Sequence, residues 1–378
     1  MSKSSATIET GRFHIPSLDG LRAVSFMFVF ISHAWLPDLV PGGFGVTVFF
    51  FLSGYLITTF LRMEYESSGT ISFKKFYLRR VLRIFPPFYL VLIFAWYVTY
   101  RGWLGGSLTL DASLSQALHY VNYRIIYAGF EGLAPGSSIY WSLAVEEHFY
   151  LLFPLLYVAM KGRLSPRSQV LVLAVICAAI LAWRYALVYE FGAGEVRTNR
   201  ATDTRADSIL FGCMLAICGN PMLDRQGSER WMKWFWLPLA LIALLVCLLV
   251  RDPKFRESYR YTIQGIALFP VFISAIRFPN WGAFRLLNLP AVKMLGVLSY
   301  SMYLLHYVII KGFEHETQWP TPVIVIASLA TTITISWLIY RLVEKPFSRM
   351  RVRLNTAGTS KQNQAGPPGA VISADASR

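Results

Sequence analysis

Apolar positions fall in long blocks along this chain, separated by shorter polar stretches rich in Lys and Arg. Runs of about 17–25 apolar residues fit a helix that crosses a hydrocarbon layer at a rise of about 1.5 Å per residue. The pattern predicts ten such spans, near 21–37, 44–61, 84–101, 141–160, 170–189, 207–220, 234–250, 261–278, 296–313 and 322–342. The sixth is the shortest. No cleavable leader is expected, because the residues before Asp19 are polar and the first apolar run passes directly into a second. Backbone polar groups inside a bilayer must be satisfied within the segment, so the expected fold is all-α: a polytopic transmembrane bundle of about ten spans.

The polar positions orient that bundle. With the N-terminus in the cytoplasm, the inside segments hold 24 Lys and Arg residues and the outside segments 10. This is the bias that fixes topology in membranes, and it puts both termini in the cytoplasm. It also absorbs most of the formal net charge of +15, so no nucleic-acid partner is expected. Charged residues make up 15% of the 378 residues and hydrophobic ones 55%. Ordinary soluble proteins carry about 25% charged residues, so a cytosolic enzyme, a coiled coil and a disordered chain are all excluded. Cys177, Cys213, Cys218 and Cys247 lie in apolar stretches without metal-like spacing. The expected organisation is a cytoplasmic segment 1–17, a membrane domain 18–347, and a tail 348–378 that is basic and then disordered. Residues 102–140 form a long glycine-containing outside loop, of a length that usually carries function.

Ionisable residues at membrane depth are costly and therefore informative. Arg22 and His33 are eleven positions apart in the first span, about 16.5 Å of rise and close to three turns, so they share a helix face. Asp19 lies one turn before Arg22 as its expected partner. The face could line a polar channel with His33 as a base. A snorkelling arginine and a satisfied histidine would give the same spacing. In FKKFYLRRVLRIFPPFY, Lys75, Arg79 and Arg83 share a face and Arg80 adjoins it, with Pro86 and Pro87 expected in the opening turn of the third span. The cluster reads as a topology anchor on anionic lipid or as a phosphate site, since guanidinium forks match phosphate. The fourth span opens with Trp141, Glu146, Glu147 and His148, with Ser138 or Ser142 as the expected cap. Its carboxylates could orient His33 or bind acceptor hydroxyls. The glycines of the second span, among them Gly45 and Gly54, are expected to serve helix packing. His306 reads as a packed histidine and Glu344 as half of a structural ion pair. No phosphate-binding loop, serine-hydrolase elbow or metal motif is present in the sequence.

Taken in order, LDGLRAVSFMFVFISH, GGFGVTVFFFLSGYLIT, FYLRRVLRIFPPFY, IYWSLAVEEHFYLLFP, ADSILFGCMLA, LSYSMYLLH and VEKPF resemble the acyltransferase-3 family of bacterial membrane acyltransferases. The resemblance runs from Leu18 to Phe347. It implies transfer of an acyl group, usually acetyl from acetyl-CoA, to a hydroxyl of a cell-envelope glycan or lipid-linked sugar. It implies catalytic roles for His33, Arg22 and Glu147, and donor binding by Arg80 and Arg83 with Arg79 beside them. Trp141 matches the fourth-span motif and, with Glu146 and Asp19, is expected on the substrate. His148 stands where many relatives carry Gln. The short tail implies the standalone form, without an esterase-like domain. Acyl-CoA would be a co-substrate, with no bound cofactor or metal. The alternative from another class is a transporter or flippase for an anionic or sugar substrate, which would need no CoA. A structural partner in glycan export would tolerate loss of His33.

Overall fold

The computed structural model describes residues 8–9, 12–13, 15, 17–36, 40–225 and 227–351. The disordered tail expected from the sequence, and most of the N-terminal segment, lie outside the described residues. A small antiparallel pair, Ile8–Glu9 with Arg12–Phe13, precedes the helices.

The helices follow in chain order: α1 Leu18–Ala34, α2 Gly42–Ser68, α3 Phe73–Tyr100, α4 Leu110–Ala117, α5 Val121–Ala128, α6 Trp141–Lys161, α7 Pro166–Tyr189, α8 Glu195–Arg200 and α9 Thr202–Ile217. Then come α10 Glu229–Leu249, α11 Pro253–Glu257, α12 Arg260–Arg277, α13 Phe284–Leu287, α14 Pro290–Glu316 and α15 Thr321–Arg351. Each expected span coincides with a helix, and the protein is an all-α, multi-pass membrane protein. Among the described residues, seven helices are long and apolar enough to cross a membrane: α2, α3, α6 with its preceding turn, α7, α10, α14 and α15. The other three expected spans are α1, α9 and α12, of 17, 16 and 18 residues. α12 is also bounded by Arg260 and Arg277.

Backbone contact explains why the short helices sit inside. A Cβ on Gly54 of α2 would lie 2.0 Å from the Ile209 carbonyl, and one on Gly212 of α9 would lie 1.9 Å from the Phe51 carbonyl. α9 is thus locked against α2, and its residues from Thr204 to Ile217 are almost all buried. α1 is held the same way: Gly45 of α2 meets the Ser25 carbonyl, and Gly296 of α14 meets the Asp19 carbonyl. The glycines of the second span therefore serve packing, as the sequence led us to expect. By contrast, Leu241, Ile242, Leu245 and Leu249 of α10 remain exposed, a surface suited to lipid.

Two boundaries differ from expectation. α3 starts at Phe73, capped by the Ser72 side chain accepting from the Lys75 amide at 3.4 Å, so Pro86 and Pro87 lie inside it rather than in its first turn. Proline removes helix donors, and the Tyr300 hydroxyl of α14 donates to the Ile84 carbonyl beside the interruption at 2.9 Å. The loop over residues 102–140, expected on the outside, is not an open excursion. His119 packs on Phe85 and Phe88 with ring centroids 5.3 and 4.6 Å apart, and Tyr89 donates to the Ala117 carbonyl at 2.9 Å. α4 and α5 thus fold back along α3, well below its end at Tyr100. No serine side chain caps α6; a 3-10 turn, Ser137–Tyr140, leads into it instead.

Candidate active site

Cations gather at the end of the bundle where α1 and α3 begin. Arg22 pairs with Asp19 at 2.5 Å, as expected. Arg80 lies over the rings of Phe76 and Tyr150, with its guanidinium carbon 5.7 and 5.4 Å from their centroids. Arg83 lies within electrostatic reach of Arg22, Glu146 and Glu344. Among the described residues neither Arg80 nor Arg83 forms an ion pair within 4 Å. Arg79, from the same cluster, points elsewhere and binds Glu64 at 2.7 Å.

Two acids here, Glu146 and Glu344, are held by hydroxyls rather than by cations. Glu146 accepts from Ser53 at 3.1 Å and from Tyr150 at 2.8 Å. Glu344 accepts from Ser301 at 2.5 Å. That contact replaces the expected ion pair of Glu344. A π-turn at Tyr340–Glu344 in α15 brings its carboxylate inward, and such turns recur at functional sites. Glu147 keeps a buried carboxylate oxygen, Oε1, without a hydrogen-bond partner. A group of this kind is costly unless a ligand completes it.

The same end carries a structural lock. Arg62 of α2 forks onto Asp224 at 2.6 and 3.0 Å. Burial alone would raise the Asp224 carboxyl. The Arg62 fork and the Gly219 and Asn220 amides outweigh it and hold the group below the usual carboxylate range.

At the far end of α1 the polar groups are imidazoles. His33 Nδ1 lies 2.9 Å from His306 Nε2. His306 is fully buried, and its Nδ1 lies 2.8 Å from the Tyr303 carbonyl and 3.2 Å from that of Met302. A carbonyl only accepts, so Nδ1 of His306 carries the proton. In the neutral pair its Nε2 then accepts from His33 Nδ1–H. His33 Nε2 is left with its lone pair, the state a general base requires. Tyr307 stacks on His33 with centroids 4.5 Å apart and fixes the ring plane.

His306 is fully buried and packed, as expected, and it also holds the His33 ring through this contact. The carboxylates of α6 do not orient His33; among the described contacts that task falls to His306. The sequence signal was available as a second histidine on a span, but only the fold pairs two residues 273 positions apart.

Trp141 and Ser142 join this end. The Ser142 hydroxyl lies 2.6 Å from the Tyr303 hydroxyl, and Tyr140 donates to the Leu304 carbonyl at 3.1 Å. The start of α6 is thereby stitched to the turn of α14 that holds His306. Trp141 is buried and meets Phe50 edge to face at 6.2 Å. His148 points away, to Thr202 Oγ1 at 2.8 Å.

This arrangement of an imidazole pair at one end of α1 and an arginine cluster where α1 and α3 begin can be compared with known proteins. A family profile described as an acyltransferase domain, acyltransferase-3, matches residues 15–341. The chain belongs to this family. It is 31% identical over 88% of its length to a Bacillus subtilis protein named as a candidate peptidoglycan O-acetyltransferase, YrhL, covering 55% of that protein. It is 28% identical over 91% of its length to the peptidoglycan O-acetyltransferase OatA of Listeria monocytogenes, covering 57% of it. A Staphylococcus aureus protein named as a candidate O-acetyltransferase, SACOL0978, is 28% identical over 90% of the chain and 58% of its own length. The chain thus spans little more than half the length of these relatives. No solved structure gives a significant match.

Proposed function

We propose that this protein is a membrane O-acyltransferase that moves an acyl group, acetyl by analogy with its relatives' names, from acyl-CoA to a hydroxyl of a cell-envelope glycan or lipid-linked sugar. The observation that carries the reading is the His33–His306 pair. Its proton inventory leaves one basic nitrogen, and it stands about 16.5 Å along α1 from Arg22, which lies within electrostatic reach of Arg83 in the α3 cluster. Acyl-CoA is the donor class that needs both ends: phosphates for the arginines and a thioester on a long flexible arm for the histidine.

In this scheme the basic end faces the cytoplasm of the inner membrane, with both termini on that side. Arg80 and Arg83 take the CoA phosphates, and the pantetheine arm follows the Arg22 face of α1. His33 Nε2 removes the proton from the acceptor hydroxyl as its oxygen attacks the thioester carbonyl. The C–S bond breaks, and the His33 imidazolium returns the proton to the departing thiolate. His306 keeps the His33 ring in the productive tautomer throughout. Glu147 Oε1 is available to a substrate hydroxyl, and Trp141 to a sugar face.

The test is acyl transfer to envelope glycan by intact protein, counted by mass spectrometry as acyl groups per repeat. General-base catalysis contributes about 10²–10⁴-fold, so His33→Ala should lose at least that much at unchanged protein abundance. His306→Asn, which preserves a hydrogen bond but not the tautomer relay, should lower the rate and leave the donor constant unchanged. Activity of His33→Ala within a few-fold of wild type would overturn the assignment. Substrate that crosses the membrane chemically unchanged would favour a transporter.

A further inference from the structure

A second buried cation cluster lies beside α8, at the starts of α9 and α12. Three guanidinia surround the ring of Tyr261: Arg205 at 3.8 Å, Arg260 at 5.0 Å and Arg184 at 5.4 Å from its centroid. Two carboxylates face them, and each is already committed. Asp207 binds Arg184 at 2.7 Å and the Ser208 amide at 2.8 Å. Glu257 accepts from Thr198 at 2.5 Å and pairs with Arg260 at 3.6 Å.

Arg205 is the cation left over. It is completely buried, yet no carboxylate lies within ion-pair distance of it among the described residues. Its Nη2 donates to Thr47 Oγ1 at 3.0 Å and its Nη1 reaches Asn199 Oδ1 at 3.5 Å. Its Nε–H is buried and donates to nothing. Buried charges are ordinarily paired, because an unpaired one pays the cost of leaving water without return. An Nε–H beside an Nη–H is also the edge of guanidinium that grips a carboxylate or phosphate with two parallel hydrogen bonds.

The position connects to the chemistry. The ring of Phe50 lies 5.5 Å from the Arg205 guanidinium and meets Trp141 at 6.2 Å. Ser142, next in the chain, contacts Tyr303, whose carbonyl holds His306. We propose that Arg205 binds an anionic group, carboxylate or phosphoryl, carried by the sugar that receives the acyl group. This rests on the acyltransferase reading above and names the chemistry of its acceptor. The guanidinium, over the Tyr261 ring, would supply the charge and the Thr47 and Asn199 contacts would fix its edge.

Equilibrium binding to the purified full chain in detergent tests this without any turnover. The probes are N-acetylmuramic acid, which carries a carboxylate, N-acetylglucosamine, which is neutral, and N-acetylglucosamine 1-phosphate. Charged hydrogen bonds of this kind are worth about 10-fold or more in affinity. Wild type should prefer both anionic sugars to the neutral one by that factor. Arg205→Gln should erase the preference while leaving binding of the neutral sugar and the melting temperature unchanged. Arg205→Lys should keep part of it. Phosphatidylglycerol should not compete; competition that removes the sugar preference would assign the cation to a lipid headgroup and overturn the proposal. Equal binding of all three sugars by wild type, or a preference that survives in Arg205→Gln, would overturn it too. So would a fall in melting temperature in both variants with the preference intact, since that marks a structural cation. Failure of acyl transfer with the sugar preference present would instead count against the acyltransferase reading alone.

Discussion

Arg184 and the Arg80–Arg83 pair are arginines in the same bundle with opposite settings. Arg184 is fully buried and saturated: it donates to Asp207, to the Ser258 and Thr204 carbonyls and to Thr262, at 2.6 to 3.0 Å. Arg80 and Arg83 meet rings and neighbouring charges, and among the described residues no carboxylate closes on either. The nearby acids, Glu146 and Glu344, are bound by Ser53, Tyr150 and Ser301 instead. A cation that holds helices together has its partners built in. A cation that waits for an anion does not, and here hydroxyls hold Glu146 and Glu344. The partner inventory of a charge, more than its depth, separates scaffold from site.

The sharpest way to break this contrast is to remove each charge in turn. Arg184→Met strands Asp207 in a buried setting, and breaking such a pair costs about 3–5 kcal/mol. Folded yield and melting temperature in detergent should fall sharply, with any remaining folded protein binding donor normally. Arg80→Gln or Arg83→Gln should do the reverse. Stability should hold, while the apparent donor constant rises about 10- to 100-fold, the worth of one charged phosphate contact. Arg→Lys at either position should restore only part of it, because a point charge replaces a fork. The smallest effect is expected at Arg79. Its guanidinium is already bound to Glu64, so Arg79→Gln should change the donor constant by no more than a few-fold. An Arg79 effect equal to that of Arg80 would show that the cluster acts as one diffuse charge and that partner inventory does not predict role.

Much of this molecule was legible in its sequence, because the bilayer imposes simple rules. Ten apolar blocks gave ten helices, and the Arg22–Asp19 pair followed from helical spacing. What was not legible depended on contacts across the chain. Cations spaced on one helix face looked equivalent, but Glu64 singles out Arg79, and no local pattern reports that. His306 looked like a core residue because its surroundings are apolar; its role appears only when α1 and α14 are laid parallel by Gly296 against Asp19. Glu344 looked like half of a structural ion pair, and a π-turn carries it to Ser301. Proline at 86 and 87 read as a helix start because the cap at Ser72, well before them, lies in a strongly charged stretch that resembles a loop. The return of α4 and α5 along α3 was hidden for a similar reason: glycine-rich, moderately polar segments carry no periodic signal of depth.

The central claim is that the unpaired arginines hold a nucleotide-type donor that feeds His33. Titrating acetyl-CoA into purified wild-type protein in detergent, beside Arg80→Gln and His33→Ala, tests it most directly. The account predicts saturable binding by wild type, unchanged affinity in His33→Ala, and affinity weakened about 10- to 100-fold in Arg80→Gln. No measurable binding by folded wild-type protein, or equal binding by all three proteins, would contradict it.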